Sequence, residues 1–222
     1  MLPVIVTGLL LATPAPAAPP PTAPTETQAA ARSAVRSMQA FYEKLTDCSV
    51  SFTQTYVNEA FKKTLQSSGT LRFKKPGMLR FDYSAPEAKS FVVKNDRITS
   101  YVPAAQQAMV GSFKADQLSA SVTFLFGKGN LESEFTVHPA DRADLAAGTA
   151  LLLLPKRDDP RFQKLYFVVD PQTSSVRESV VVDPSGNENR FDFKNIKANT
   201  GLSEKDFDDS LPKGTQIVKL GG

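Results

Sequence analysis

The side chains that could take part in catalysis are few and scattered along this chain. His138 is the only histidine, and it stands before Pro139 at the end of a predicted strand, where we expect a turn residue rather than a general base. Cys48 is the only cysteine, and a reactive thiol would need a positioned base that the sequence does not supply. We interpret Cys48 as a small, semi-buried apolar residue at the end of the first helix.

Two pairs of carboxylates could serve acid–base or metal chemistry. Asp158 and Asp159 are neighbours in the chain, as are Asp208 and Asp209. Carboxylates that work together face each other across a substrate or an ion, whereas adjacent acidic residues in a loop are usually solvated. The sequence also lacks the H-E-x-x-H, G-x-S-x-G, G-x-G-x-x-G and phosphate-loop motifs. We therefore predict a protein that is not an enzyme, without catalytic residues, metal site or cofactor.

Composition favours one apolar core and argues against nucleic-acid binding. The 222 residues are 41% hydrophobic, with 15 phenylalanines and no tryptophan, which is enough for one well-filled domain. The 26 basic and 23 acidic residues are spread along the chain and leave a net charge of +3, without a clustered basic patch. Such a composition fits a solid core and a hollow apolar cavity equally well.

Two alternating runs joined at Pro76-Gly77 predict a β-hairpin between residues 69 and 83. Apolar residues share one face of this hairpin, and charged residues share the other. Lys75 has the spacing of the apolar residues, so a regular strand directs its ammonium to the apolar side, although a residue before proline at a strand end can also turn into water. The apolar residues are Leu71, Phe73, Leu79, Phe81 and Tyr83.

The rest of the chain predicts a large antiparallel sheet with helices on one face. From Thr25 or Thr27 as far as Leu45, apolar residues recur at three and four positions, which is typical of an amphipathic helix. About ten or eleven strands follow by alternation, and a sheet of that size with one apolar face curls, so that helices cover its concave side. Helical spacing returns between residues 117 and 127, at Leu118, Val122, Leu125 and Phe126.

The first 25 residues have the features of an export signal followed by a tether. Residues 1–18 hold a short apolar run and the Ala15-Pro-Ala17 spacing of a signal peptide, although a disordered leader rich in alanine and proline would have a similar composition. The proline-rich residues 19–25 are expected to form an extended tether. We expect residues 26–222 to form a single domain that is exported as a soluble protein.

The hairpin corner and an earlier strand resemble the LolA family of periplasmic carriers of outer-membrane lipoproteins. The run Phe73-Lys-Lys-Pro-Gly-Met-Leu-Arg-Phe-Asp-Tyr83 is similar to the family's basic-basic-Pro-Gly-x-hydrophobic-Arg-aromatic signature. Ser51-Phe52-Thr53-Gln54 is similar to the family's Ser-Phe-Thr-Gln strand. The order of elements also agrees from about Thr25 to the C-terminus, so the resemblance covers residues 26–222 as one LolA-like domain.

The resemblance implies a mainly antiparallel α+β fold, an open, unclosed β-barrel whose N-terminal helix and short lid helices cover an apolar cavity. The lid would be formed by Leu118, Val122, Leu125 and Phe126. In the family a basic residue at the position of Lys75, usually arginine, hydrogen-bonds the lid helix and holds the ligand-free form shut; lysine lacks arginine's planar fork. The acyl-binding cavity would be lined by Phe41, Leu71, Phe73, Leu79, Phe81, Tyr83, Phe91, Val93, Phe191 and Phe193.

The function implied by the resemblance is the transport of acylated lipoproteins across the periplasm. The implied partners are an inner-membrane lipoprotein-releasing ABC transporter, which supplies the cargo, and an outer-membrane acceptor lipoprotein similar to LolB where one exists. The carrier is expected to act as a monomer. Two alternatives stay open at this point: a carrier or sensor of other lipids with the same fold, and a hydrolase of envelope lipids or polymers.

Overall fold

The computed structural model describes residues 26–113 and 130–220, which form a twelve-stranded sheet with two helices and short turns around it. The helices and turns are α1 (Glu26–Lys44), α2 (Leu131–Glu134) and two 3-10 turns (Pro103–Ala105 and Glu204–Phe207). The strands are β1 (Asp47–Asn58), β2 (Lys63–Lys74), β3 (Met78–Ala85), β4 (Lys89–Lys94), β5 (Arg97–Val102), β6 (Gln107–Ser112), β7 (Phe135–Pro139), β8 (Thr149–Pro155), β9 (Lys164–Val169), β10 (Val176–Val182), β11 (Glu188–Ala198) and β12 (Gln216–Lys219).

The strands lie in the order β12-β6-β5-β4-β3-β2-β1-β11-β10-β9-β8-β7. Neighbours pair antiparallel, except that β12 lies parallel to β6 at one edge. Because β12 and β7 are at opposite edges, the sheet does not close on itself within the described residues. This confirms the predicted fold class, with twelve strands where the sequence suggested about ten or eleven.

Several predicted segments lie outside the described residues. These are the signal peptide (1–18), the tether (19–25) and the four lid residues Leu118, Val122, Leu125 and Phe126. They stay predictions, as does the division of the chain at residue 26.

Helix α1 lies on the inner face of the sheet, near the edge formed by β7 and β8. One stripe of the helix is buried, and it packs against β7 and β8. Gln28 Nε2 donates to the carbonyl of Val137 on β7 (2.7 Å), which fixes the N-terminal part of the helix. At the other end, the Tyr42 hydroxyl accepts a hydrogen bond from the backbone of Val176 on β10 (3.2 Å). The buried residues of the stripe are Ala31, Val35, Met38 and Tyr42.

The outer face of β10 and β11 is held by ion pairs with the loop between β7 and β8. Arg142 donates to the Glu188 carboxylate at 2.8 and 2.9 Å, and Arg190 pairs with Asp144 of the loop. Glu178, which is 1% exposed, lies 3.3 Å from the Arg190 guanidinium. Because these side chains alternate along β11 with those that point inward, the network also fixes the strand that carries Phe191 and Phe193.

A buried carboxylate ties the start of β1 to the chain after β11. Asp47 is 2% exposed and accepts hydrogen bonds from the backbone of Thr200 (2.8 Å) and Gly201 (3.1 Å). Burial by itself raises the pKa of Asp47, but hydrogen bonds from the backbone of Thr200, Leu202 and Gly201 outweigh it and lower the pKa below its usual value. The ionised form of Asp47 is therefore part of the folded state.

Asp47→Asn is expected to lower the free energy of unfolding by about 2 kcal/mol at pH 7, because the amide replaces an acceptor by a donor that faces N–H groups. The pKa of Asp47 is lowered in the folded protein, so its stabilisation is complete above the unfolded value of about 3.9 and is lost as pH falls through the folded value. Urea unfolding of both proteins at pH 7 and pH 3 measures this. If the free energies of unfolding of wild type and Asp47→Asn differed as much at pH 3 as at pH 7, this would contradict the assignment of an ionised Asp47 to the folded protein.

Candidate functional site

The hydrogen-bond register arranges the inner-facing residues of the central strands in rows that cross the sheet. The first row is fully buried and continues the core beneath α1; it contains Cys48, Phe73, Leu79 and Val93. In the second row, Val50 and Leu71 are buried, whereas Phe81 and Phe91 are partly buried. The third row contains Phe193, Phe52, Gly69, Tyr83 and Lys89.

Six aromatic rings of these rows and of β11 form a continuous surface, here called the aromatic floor. Phe52 is at its centre, with its ring centre 5.1 Å from that of Tyr83, 5.5 Å from Phe191 and 5.8 Å from Phe81. The three contacts are edge-to-face, which is the favoured geometry for aromatic pairs. The floor consists of Phe52, Phe81, Tyr83, Phe91, Phe191 and Phe193.

Gly69 makes room for the centre of the aromatic floor. A Cβ atom at this position would lie 2.9 Å from the Phe52 ring and 2.1 Å from the carbonyl oxygen of Asp82, both closer than real contacts allow. Phe52 and Gly69 are direct cross-strand partners, and Gly69 also pairs with Tyr83. A glycine on β2 therefore lets Phe52 extend over the neighbouring strand towards Tyr83.

Gly69→Ala is expected to lower the free energy of unfolding by about 1 to 3 kcal/mol, because the new methyl group forces β3 or the Phe52 ring to move. The displaced ring also changes the near-ultraviolet signal of the aromatic floor. Ser67→Ala, on the same strand and the same face, is the matched control and should be close to neutral. Chemical unfolding of the three proteins checks this. If Gly69→Ala were as stable as wild type, the close approach of the Phe52 ring to Gly69 would not be important for folding.

A small cavity of about 20 Å³ lies under the C-terminal end of α1. It separates Tyr42 of the helix from the buried end of the central strands, and it is no larger than a single water molecule needs. A pocket for a drug-sized ligand usually has several hundred Å³, so this cavity by itself has no room for such a ligand. The cavity is lined by Tyr42, Cys48, Val50, Leu71, Phe73, Val176, Phe193 and Ile196.

Lys75 ties the β2–β3 corner to the helix above this cavity. Its ammonium donates to the carbonyl oxygens of Tyr42 (2.6 Å) and Glu43 (3.0 Å) in the last turn of α1. Carbonyls in the last turn of a helix carry the negative end of its dipole, so a cation is favoured there. Burial lowers the pKa of Lys75, and the charge of Glu43 opposes that effect. The side chain therefore points inward, as its spacing predicted, and does not turn into water.

The contacts of Lys75 that the structure describes are with α1, whereas the resemblance to the family placed its partner on the lid helix. The reason is geometric: the β2–β3 corner lies beside the end of α1, where the backbone N–H of Lys75 also donates to the carbonyl of Thr46 (2.8 Å). Residues 114–129, which include the predicted lid, are outside the described residues, and so is any contact between them and Lys75. Its role as a latch stays a prediction.

The predicted cavity residues fall into two groups. Leu71, Phe73, Leu79 and Val93 are fully buried in the core. Phe81, Tyr83, Phe91, Phe191 and Phe193 are partly buried and belong to the aromatic floor, and Phe41 is partly buried on α1, edge-on to Tyr42 at 5.1 Å. Phe52 was not among the cavity residues predicted from the sequence, although the alternation of Val50, Phe52 and Gln54 places this ring on the inner face.

The residues first considered for catalysis have structural surroundings. Burial, and then the charge of Asp47, raises the pKa of Cys48 to about 11, so the thiol is protonated at neutral pH. Asp159 accepts hydrogen bonds from the Arg161 side chain at 2.8 and 2.5 Å, and this pairing lowers the pKa of Asp159. Asp209 accepts from the Thr99 hydroxyl at 2.8 Å. Asp159 and Asp209 are thus held by local hydrogen bonds and ion pairs.

No helix in the described part of the chain combines the length and the apolar character needed to cross a membrane. Across residues 26–113 and 130–220, no group of three or more His, Cys, Asp or Glu side chains is close enough to hold a metal ion.

Comparison with solved structures supports the fold. The chain is similar to an uncharacterized conserved protein from Thermus thermophilus, with a TM-score of 0.55, 12% identity, and coverage of 86% of this chain and 99% of the other. It is also similar to the lipoprotein LppX from Mycobacterium tuberculosis, with a TM-score of 0.50, 10% identity, and coverage of 79% and 98%. At these identities the similarity concerns the fold alone.

Comparison with known sequences identifies the family. An outer-membrane lipoprotein carrier protein from Bordetella avium is 27% identical over 186 residues, which cover 82% of this chain and 86% of the relative. A protein of the same name from Dechloromonas aromatica is 27% identical over 187 residues, covering 83% and 87%. Residues 43–209, which include β1 to β11 and the whole aromatic floor, match the family model for the outer membrane lipoprotein carrier protein LolA. The chain that builds this floor on an unclosed antiparallel sheet therefore belongs to the LolA family.

Proposed function

We propose that this protein is a periplasmic carrier that binds the acyl chains of lipoproteins released from the inner membrane and delivers them to the outer membrane. The observation that carries the proposal is the aromatic floor, a continuous apolar surface on the inner face of an unclosed sheet in a chain of the LolA family. Sheltering an acyl chain from water returns about 0.8 kcal/mol for each buried CH₂ group. Rings that are only partly buried can supply such shelter without unfolding the core.

The size of the cavity under α1 explains how a carrier can also release its cargo. The cavity of about 20 Å³ under α1 has no room for an acyl chain, so loading at this place requires the end of α1 or the side chains below it to move away. The contacts broken by this movement include the two hydrogen bonds from Lys75 to Tyr42 and Glu43. Their free energy opposes loading and favours release, which brings the affinity for acyl chains into a range that allows transfer.

The proposed partners follow from this cycle. An inner-membrane lipoprotein-releasing ABC transporter supplies the acylated protein, and an outer-membrane acceptor lipoprotein similar to LolB receives it where the cell has one. The carrier acts as a monomer, is located in the periplasm and catalyses no reaction. Its predicted lid residues, Leu118, Val122, Leu125 and Phe126, would shield the bound acyl chains from water.

Identification of the bound ligand tests the proposal. The protein is purified from the periplasm without detergent, and mass spectrometry after organic extraction identifies what was bound. Lipoprotein with its acylated cysteine supports the carrier function. Free lipid alone would favour the alternative of a carrier or sensor of other lipids, and hydrolysis products of an envelope lipid or polymer, formed by the purified protein, would favour the hydrolase and contradict the proposal.

A further inference from the structure

A short chain of polar side chains crosses the inner face of the sheet beside the aromatic floor. The Tyr83 hydroxyl donates to Gln54 Oε1 at 2.8 Å, and Gln54 Nε2 donates to Asn189 Oδ1 at 2.9 Å. These three side chains, here called the polar belt, link β3, β1 and β11. The link can pass over β2 because that strand contributes only Gly69 and Ser67 at this level of the sheet.

The direction of the hydrogen bonds leaves donors at the end of the polar belt. Asn189 uses its side-chain oxygen as the acceptor from Gln54, so its Nδ2 group keeps two N–H donors. Within residues 26–113 and 130–220, these donors have no hydrogen-bond acceptor. A ligand that offered oxygen acceptors here would complete the belt.

Lys89 adds a positive charge at the other end of the polar belt, beside Tyr83. It is the cross-strand partner of Tyr83, and its ammonium lies 4.7 Å from the centre of the Tyr83 ring and 5.9 Å from that of Phe91. No carboxylate of the described residues is within salt-bridge distance of this ammonium. Lys94 on the same strand points to the outer face and pairs with Glu204, so the inward position of Lys89 is specific to that residue.

We infer that Lys89 and the polar belt form the head-group end of the acyl-binding face, where they bind the oxygen acceptors at the head of an acyl ligand. The inference rests on the proposed function, since it requires acyl chains on the aromatic floor. It orients the ligand: the hydrocarbon lies across Phe81 and Phe91 towards the buried first row, and the oxygen-bearing head lies along the polar belt, between Lys89 at one end and Asn189 at the other. The protein part of a lipoprotein would then leave the carrier at the polar end.

The test compares two probes that share a hydrocarbon chain but differ in their heads, and adds a third probe that has no oxygen. Wild type, Lys89→Met and Lys94→Met are titrated with a dansyl-labelled fatty acid, with its methyl ester, and with diphenylhexatriene, a hydrocarbon without oxygen. Met keeps the length of the lysine stem and removes its donors. We expect Lys89→Met to weaken binding of the fatty acid by about tenfold, as for a hydrogen bond to a charged group, and to leave diphenylhexatriene binding unchanged. Lys94→Met should bind all three probes as wild type does.

The methyl ester distinguishes a head that is bound through its carbonyl oxygens from a head that is bound through its negative charge. A loss for both acid and ester supports recognition of carbonyl oxygens, and a loss for the acid alone supports the same site with an anionic head. Wild-type affinities for acid and ester in Lys89→Met would overturn the inference. An equal loss for diphenylhexatriene would also overturn it, because the lysine stem would then act through packing. If wild type itself bound none of the probes, the proposed function would fail as well.

Discussion

Phe81→Asp is expected to abolish acyl binding, with a loss of affinity of at least about 100-fold. The Phe81 ring contacts those of Phe52, Tyr83 and Phe191, so the new carboxylate would stand within the aromatic floor. A charge that loses its hydration against apolar surface without a partner costs several kcal/mol, which exceeds the roughly 2.7 kcal/mol of a 100-fold change. Titration with a fluorescent acyl probe measures the affinity, and chemical unfolding of the same samples measures stability.

Leu154→Asp is the matched control for this variant. Leu154 is a 37% exposed apolar residue on the outer face of β8, so it receives the same charge without touching the aromatic floor. Phe81→Leu, which keeps an apolar side chain, should retain most of the affinity and shows whether the floor needs the ring itself. Equal losses of affinity in Phe81→Asp and Leu154→Asp would contradict the assignment of the binding face. The assignment would also be contradicted if the loss of affinity in Phe81→Asp were fully explained by the fraction of the protein that is unfolded.

Lys75→Leu is expected to separate loading from delivery. The substitution removes the two hydrogen bonds to the end of α1 and keeps the apolar stem, so the closed form loses about 1 to 3 kcal/mol. The ratio of open to closed protein then rises by about 5- to 150-fold. Because less closing energy opposes the acyl-filled form, loading from the inner membrane should persist or tighten, whereas delivery to acceptor membranes should fail.

The two half-reactions are measured separately with purified membranes. The guanidinium group of Lys75→Arg is planar and can make more hydrogen bonds to the same carbonyls. This variant should therefore load and deliver as wild type does, or change both steps in the opposite direction. Lys74→Leu, the neighbouring position on the other face of β2, controls for the loss of a positive charge. Release of cargo at the wild-type rate by Lys75→Leu would mean that the ammonium supports α1 without controlling the carrier cycle.

Strand alternation was sufficient to predict which residues of the central hairpin face inward. It placed Leu71, Phe73 and Leu79 on the buried side and directed Lys75 to the same side, as the structure shows. These predictions succeeded because the side-chain direction in a strand is a local property with a period of two residues. The fold class could be predicted for the same reason, since each strand and turn carried its own pattern.

The contacts between distant strands could not be predicted in this way. Phe52 is the centre of the aromatic floor because the register places it opposite Gly69, and register is set by the whole sheet. The partner of Lys75 depends on where α1 ends relative to the β2–β3 corner, which long-range packing decides. Lys89 and Asn189 likewise come to lie on the same face of the sheet, at the two ends of the polar belt, only through the pairing of β3 with β4 and of β1 with β11.

The central claim is that acyl chains lie on the inner face of the sheet, and site-specific photocrosslinking tests it most directly. p-Benzoylphenylalanine is placed at Phe191 on the inner face or at Leu154 on the outer face, and the carrier is loaded with a lipoprotein that bears radiolabelled acyl chains. We expect a labelled crosslink from position 191, little from position 154, and none from either with a lipoprotein that lacks its acyl chains. Equal crosslinking from both faces, or crosslinking that does not require acylation, would contradict the account.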